Sequence, residues 1–147
     1  DEPTTALDVT IQAQILELMV EMKHKREDAA ILLITHDLAV VAEMCDRVIV
    51  MYGGKIQEVA PVEELFANPQ HPYTKGLMSS IPRPDQGRQD RLEAIRGMVP
   101  PIMDMPIGCK FCTRCDDVLD KCENTEPELL EIKPSHFVRC HLMEDAV

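Results

Sequence analysis

The stretch that decides the fold class runs from Arg47 to Val59 and reads RVIVMYGGKIQEV. Its first six residues are almost all apolar and have the length of a buried strand, and Gly53-Gly54 is typical of a tight hairpin turn. Residues 55–59 then alternate between apolar and polar side chains, which predicts a second strand nearer an edge of the sheet. The stretch therefore predicts a β-hairpin.

Helical and strand signals precede the hairpin. Asp8 is suited to cap a helix, because its carboxylate can accept hydrogen bonds from the first free amides. Apolar residues at helical spacing then predict an amphipathic helix to about Lys25. Ala30–Thr35 is nearly all apolar, which predicts a parallel strand covered on both faces. Asp37 is placed to cap a second helix, which we expect to run to about Met44.

Two short helices are predicted after the hairpin, one over residues 62–66 and one over residues 73–80, each with a proline at its start. The alternation of strands and helices over residues 1–80 is typical of an α/β fold. Proline, glycine and charged residues then mark residues 81–97 as a linker. A cysteine-rich extension follows over residues 98–147.

The composition excludes several classes of protein. The net charge is −11, from 15 basic and 26 acidic residues, and this argues against nucleic acid as a partner because phosphate binding needs a basic footprint. Trp is absent, and only two Tyr and three Phe are available to stack on bases. No apolar run approaches the roughly 20 residues of a membrane span. The first residues lack the pattern of a secretory leader.

Candidate catalytic residues lie at two places about one crossover unit apart. Asp1 and Glu2 are adjacent carboxylates that we expect at the carboxyl end of a strand, where open α/β sheets bind ligands. One of them could hold Mg²⁺ through water, and the other could accept a proton from an attacking water. His36 follows the predicted strand Ala30–Thr35, so we expect it at the same edge of the sheet.

The sequence resembles the ATP-binding-cassette (ABC) ATPases in four segments that occur in the family's order. Asp1-Glu2 resembles the end of the Walker B motif, and residues 5–8, TALD, resemble the D-loop. Residues 35–37, THD, resemble the switch-histidine segment, and the hairpin resembles the strand pair that follows it. The resemblance implies the C-terminal portion of a P-loop, ABC-type nucleotide-binding domain with an incomplete sheet.

The same resemblance implies a cofactor and roles for four residues. ATP and Mg²⁺ would be bound in the full-length protein, with Asp1 as the Mg²⁺-associated carboxylate. Glu2 would be the general base that polarises the attacking water, and His36 would contact the γ-phosphate. Asp8 would act across a dimer interface, near the site of a second ATPase subunit.

Three elements of the ABC pattern are absent from the sequence: the phosphate-binding loop GxxxxGK[ST], the Q-loop and the LSGGQ-type signature. Positioning of the phosphates provides most of the catalysis in P-loop enzymes. We therefore expect these residues alone neither to bind ATP tightly nor to hydrolyse it. An alternative function is a non-catalytic regulatory or assembly module that uses the cysteine-rich extension.

Residues 68–77, NPQHPYTKGL, resemble a segment of the ATPase subunits of oligopeptide, dipeptide and nickel importers. This resemblance implies ATP-driven import of peptides or nickel, powered from the cytoplasmic face of the membrane. The implied partners are membrane permease subunits, a second ATPase subunit and, indirectly, a solute-binding protein.

Five of the six cysteines fall within residues 109–140. An extension of this size with few large apolar groups can hardly bury enough surface to fold unaided, and a metal centre would supply the missing stabilisation. Close spacing followed by one distant cysteine is compatible with both zinc and iron–sulfur sites. Thiolate chemistry alone does not separate the two.

From Gly108 onward the sequence resembles the cysteine pattern of the importer subfamily. The resemblance implies a [4Fe–4S] cluster, with zinc as the alternative and free or partly oxidised thiols as a third possibility. Cys112 departs from the pattern and is interpreted as a spare thiol, although it could replace one of its neighbours as a ligand. The four implied ligands are Cys109, Cys115, Cys122 and Cys140.

Overall fold

A computed structural model describes residues 1–26, 28–81 and 94–146 of the chain. The chain divides into two compact units, residues 1–46 and residues 47–147. Most of the predicted linker, residues 82–93, lies outside the described residues.

Two capped helices form most of the first unit. Helix α1 spans Val9–His24 and helix α2 spans Leu38–Met44. The carboxylate of Asp8 accepts hydrogen bonds from the amides two and three residues further on, and Asp37 does the same at the start of α2. These bonds satisfy amides that have no partner within the helix. Both predicted helices and both predicted caps are confirmed.

The predicted parallel strand Ala30–Thr35 is wrong, because the run is not part of a ladder. Within the described part of the first unit, one backbone hydrogen bond ties it to another segment, from the amide of Glu2 to the carbonyl oxygen of Ile34 at 2.7 Å. A strand needs a hydrogen-bonded neighbour along its length, and one bond does not provide it. The side chain of Leu32 is accordingly 81% exposed.

A four-stranded antiparallel sheet forms the centre of the second unit. Its strands, in the spatial order β1-β2-β4-β3, are β1 (Arg47–Tyr52), β2 (Lys55–Pro61), β4 (His136–Val138) and β3 (Leu130–Lys133). The predicted hairpin of β1 and β2 is confirmed. Gly53 and Gly54 form its turn at φ angles of +57° and +75°, a region that side-chain-bearing residues rarely adopt.

Strand β2 lies inside the sheet, and the expectation that it lies nearer an edge is wrong. Glu58 pairs with Val138, and Val59 pairs with Phe137. An alternating pattern shows that the two faces of a strand differ in polarity. It does not show whether a distant part of the chain pairs with the strand. The cysteine-rich extension supplies that neighbour, so it is part of the sheet.

Two short helices follow the hairpin, within one residue of the predicted bounds. Helix α3 spans Val62–Ala67 and helix α4 spans Pro72–Ser79. The Nδ1 atom of His71 accepts a hydrogen bond from the amide of Tyr73 at 3.0 Å, which caps α4. Strands and helices together make a small α/β protein. In the described ranges, no helix is long and apolar enough to cross a membrane.

Aromatic rings and cysteines share the core of the second unit. Tyr52 at the end of β1, Tyr73 on α4 and Phe111 pack with ring centroids 4.8 to 5.3 Å apart. Offset and edge-to-face contacts of this kind are favourable beyond the area that they bury. The core therefore joins the hairpin and α4 to the extension. The cysteines buried in the same cluster are Cys109, Cys112 and Cys122.

Candidate functional site

The first unit brings Glu2 and His36 together. The Nδ1 atom of His36 lies 2.9 Å from Oε1 of Glu2. The bond from the amide of Glu2 to Ile34 holds the opening residues beside the segment that leads to His36. Both side chains are accessible, with exposed fractions of 44% for Glu2 and 76% for His36. Both residues were predicted to lie at one edge of a sheet. In the structure they contact each other, although the predicted strand that leads to His36 does not form.

Two hydrogen bonds hold the pKa of the Glu2 carboxyl below its usual value. The larger cause is the bond with His36, and the second is a bond that the hydroxyl of Thr5 donates to Oε2 of Glu2 at 2.9 Å. Glu2 is therefore ionised at neutral pH, and the Nδ1 atom that faces it carries a proton. An ionised, oriented carboxylate at the surface can accept a proton from a bound water.

Asp1 and Asp8 have different surroundings. Asp1 is exposed at the start of the chain. The Oδ1 atom of Asp8 accepts hydrogen bonds from the amides of Thr10 and Ile11, both at 3.0 Å. These two bonds fix the carboxylate of Asp8 at the first turn of α1. A role of either aspartate toward a nucleotide stays a prediction.

A close backbone approach organises the cysteine-rich extension. The amide of Cys109 donates to the carbonyl oxygen of Cys122 at 2.8 Å, and the amide of Gly108 donates to that of Glu123 at 3.2 Å. A Cβ atom at residue 108 would lie 2.3 Å from the carbonyl oxygen of Cys122, so only glycine fits there. This approach places two of the predicted ligands side by side in the buried cluster.

The thiols of the extension share one electrostatic environment. Burial is the largest cause that raises the pKa of Cys109, Cys115 and Cys140, to about 11 for the last two. Charge on neighbouring thiols raises these values further. The pKa of Cys140 responds to Cys109 and Cys122, and that of Cys115 responds to Cys109 and Cys140. The four predicted ligands therefore lie close enough to influence one another, and these three remain protonated at neutral pH.

The described residues contain no group of three or more Cys, His, Asp or Glu side chains arranged to hold a metal ion. The expected metal-bound extension is thus not supported as a preformed site. Thiols must lose their protons to bind a metal, so such a site would form together with its ligand. Cys112 is buried beside Cys109 and Cys122, and burial followed by the charge of Cys122 raises the pKa of Cys112.

A buried carboxylate that the sequence did not single out connects three elements of the second unit. Glu58 on β2 is fully buried and accepts hydrogen bonds from the amides of Gln70 at 2.8 Å and His71 at 2.9 Å. It also contacts the Nε2 atom of His136 on β4 at 2.7 Å. The Nδ1 atom of His136 lies 3.6 Å from Glu64 on α3. Sequence reasoning missed Glu58 because its spacing is that of a solvent-facing strand residue.

Comparison with known proteins relates the chain to ATP-binding proteins of peptide transport. Residues 57–122 match the family model described as "Oligopeptide/dipeptide transporter, C-terminal region". The Oligopeptide transport ATP-binding protein AppD of Bacillus subtilis is 55% identical over 145 residues, which are 99% of this chain and 44% of AppD. Residues 57–122 therefore contain the C-terminal oligopeptide/dipeptide transporter domain, and the relatives that match nearly the whole chain are ABC ATP-binding proteins. The resemblance to importer ATPases is thereby confirmed.

Other relatives in this family match the chain over nearly its whole length. A probable peptide ABC transporter ATP-binding protein of Sinorhizobium fredii is 52% identical over 147 residues, which are 100% of this chain and 44% of that protein. The Dipeptide transport ATP-binding protein DppD of Haemophilus influenzae is 49% identical over 141 residues, which are 96% of this chain and 42% of DppD. The chain therefore spans less than half the length of these relatives.

Proposed function

We propose that the chain is part of an ATPase subunit that couples ATP hydrolysis to the import of peptides. The observation that carries this proposal is the 2.9 Å contact between His36 and an ionised Glu2. A carboxylate held by a second side chain is suited to act as a general base. Relatives that are named as ATP-binding proteins of peptide transport support the same reaction.

Four residues of the first unit have roles in the proposed reaction. Glu2 accepts a proton from the attacking water, and His36 contacts the γ-phosphate. Asp1 holds Mg²⁺ through water, which suits a cation that dehydrates reluctantly. Asp8, at the start of α1, acts across the interface with a second ATPase subunit. Carboxylates and an imidazole are suitable groups to bind MgATP, which supplies the phosphoryl group and the metal charge when bound.

The proposed subunit works with other proteins at the cytoplasmic face of the membrane. Its partners are membrane permease subunits and a second ATPase subunit, identical or related, and a solute-binding protein acts indirectly. The names of the relatives favour peptides as the solute, with nickel as the alternative. In this proposal residues 1–80 belong to a P-loop, ABC-type domain, residues 81–97 are a linker, and residues 98–147 are the extension.

Replacement of Glu2 tests the catalytic part of the proposal. We define an ATPase-competent chain as one in which this sequence follows a phosphate-binding loop and a signature segment. In that chain, Glu2→Gln should abolish turnover and retain ATP binding, because an amide cannot accept the proton. Glu43→Gln, at an exposed position on α2, is the matched control and should retain turnover. Unchanged turnover in Glu2→Gln would remove Glu2 from the role of base.

We further propose that Cys109, Cys115, Cys122 and Cys140 hold a [4Fe–4S] cluster. The mutual influence of these thiols on their pKa values supports the proposal, because it requires that they lie near one another. Soft thiolates suit iron–sulfur clusters as well as zinc. A four-iron cluster binds its ligands at separate corners, so its thiolates need not converge on one ion.

Metal analysis after anaerobic purification tests the cluster. We expect a brown protein with iron and sulfide, and we expect Cys115→Ser to lose most of that iron while Cys45→Ser, outside the extension, retains it. A colourless protein with stoichiometric zinc would identify the alternative metal, and a metal-free protein would contradict both. If the ATPase-competent chain binds the metal but does not hydrolyse ATP, the alternative function as a non-catalytic regulatory or assembly module would be favoured.

A further inference from the structure

The hydroxyl of Thr5 is bonded to the carboxylate of Glu2. Its Oγ1 atom donates to Oε2 at 2.9 Å, whereas Nδ1 of His36 contacts Oε1 at the same distance. The two donors therefore reach different oxygens of one carboxylate. Two such bonds restrict rotation of the carboxylate plane, which either bond alone would leave free. Each oxygen keeps a second lone pair for a proton donor such as water.

A tight backbone turn places the hydroxyl of Thr5 against Glu2. The amide of Thr5 donates to the carbonyl oxygen of Glu2 at 3.2 Å, and the amide of Leu7 donates to that of Thr4 at 3.2 Å. Glu2 and Ala6 both have positive φ angles, of 38° and 66°. Residues with a Cβ atom adopt this region at a cost, and such conformations persist where the surrounding structure holds them. The strained residues lie on both sides of Thr5.

We propose that Thr5 is a positioning residue that orients the Glu2 carboxylate for catalysis through its hydroxyl group. This inference rests on the proposed function of Glu2 as the general base. Thr5 touches no reacting atom in this arrangement and acts only through Glu2. Its contribution is to restrict the carboxylate to one orientation before water binds. Alignment of the carboxylate then adds less to the activation free energy.

Two substitutions separate the hydroxyl from the shape of the side chain. Thr5→Val keeps the branched shape and removes the donor, whereas Thr5→Ser keeps the donor. Thr4→Val is the matched control, because it makes the same chemical change at the neighbouring position in the turn.

Nuclear magnetic resonance on the 147-residue chain tests the bond without any nucleotide. At one fixed neutral pH, the side-chain carboxyl ¹³C resonance of Glu2 should move in Thr5→Val and stay near its original position in Thr5→Ser and Thr4→Val. The couplings that report the side-chain rotamer of Glu2 should average in Thr5→Val alone. A Glu2 resonance and rotamer that are identical in all variants would overturn the inference.

Turnover in the ATPase-competent chain gives the second readout. We expect Thr5→Val to lower kcat by about 5- to 30-fold with little change in the KM for ATP, and Thr5→Ser to restore most of the activity. If Glu2→Gln abolishes turnover and Thr5→Val does not lower it, the inference about Thr5 fails and the proposed function stands. If Glu2→Gln leaves turnover unchanged, the proposed function fails, and the inference fails with it.

Discussion

Loss of the Glu58 carboxylate should weaken the attachment of the cysteine-rich extension to the hairpin. The carboxylate is fully buried and faces three donors, the amides of Gln70 and His71 and the Nε2 atom of His136. In Glu58→Gln, the amide oxygen can replace Oε1, and the NH₂ group then faces the amide of His71. The amide of His71 is then left without an acceptor, and the NH₂ group is a second buried donor that faces a donor instead of an acceptor. At about 1–3 kcal/mol for each of these two groups, the free energy of unfolding should fall by about 2–6 kcal/mol.

The alanine variant extends the same reasoning. Glu58→Ala leaves three buried donors without their acceptor, and at about 1–3 kcal/mol for each donor we expect a loss of about 3–9 kcal/mol. Urea unfolding followed by circular dichroism measures the global change. Hydrogen exchange measures the local change, because the amides of Gln70 and His71 should lose protection before the rest of the sheet does.

Glu63→Gln is the matched control for these variants. Glu63 is one position away from the start of α3 and is exposed, so the same change of charge should alter the free energy of unfolding by less than about 0.5 kcal/mol. The reasoning would be refuted if Glu58→Gln unfolded at the wild-type urea midpoint while the amide of His71 kept its protection.

Three further predictions follow from contacts in the second unit. Gly108→Ala should destabilise the protein more than Gly54→Ala in thermal unfolding. A Cβ atom at 108 meets the carbonyl oxygen of Cys122, whereas one at 54 meets open space and costs only the strain of the positive φ angle. Burial lowers the pKa of His71 to about 4, so the unfolded chain takes up a proton first as the pH falls. Stability should then decline by about 3 kcal/mol between about pH 6.5 and 4, and His71→Gln should flatten that decline in unfolding curves. In the metal-free protein, burial raises the pKa of Cys140 to about 11, so the unfolded chain loses its proton first as the pH rises. Stability should fall between about pH 9 and 11, and less steeply in Cys140→Ser.

Local signals in the sequence predicted the local parts of the fold. Asp8 and Asp37 cap the helices that follow them, and Gly53 and Gly54 form the hairpin turn, because each of these features depends on residues a few positions apart. The apolar run Ala30–Thr35 was assigned as a strand in error. Apolar composition indicates only that a segment tends to be buried. A strand also needs a neighbouring strand with which to form a ladder of hydrogen bonds.

Long-range features were beyond the reach of sequence patterns. Strand β4 covers the edge of β2, and the contact of His136 with Glu58 joins residues 78 positions apart. The residues around Glu58 carry no signal that points to His136, and those around His136 carry none that points to Glu58. The pairing of Glu2 with His36 was anticipated from the predicted strand Ala30–Thr35, which does not form, and from the resemblance of both segments to known motifs. The bond from Thr5 was not anticipated, because it depends on a turn with two unusual φ angles.

The aromatic contact at the end of β1 gives the protein a built-in optical reporter. The chain has no tryptophan and two tyrosines, and Tyr52 and Tyr73 lie with ring centroids 4.8 Å apart in the core that contains the cysteines. All of its tyrosine fluorescence therefore arises at one place, where the hairpin and α4 pack against the extension. A brown iron–sulfur chromophore close by would quench that emission, so loading or loss of such a group could be followed in real time without any label.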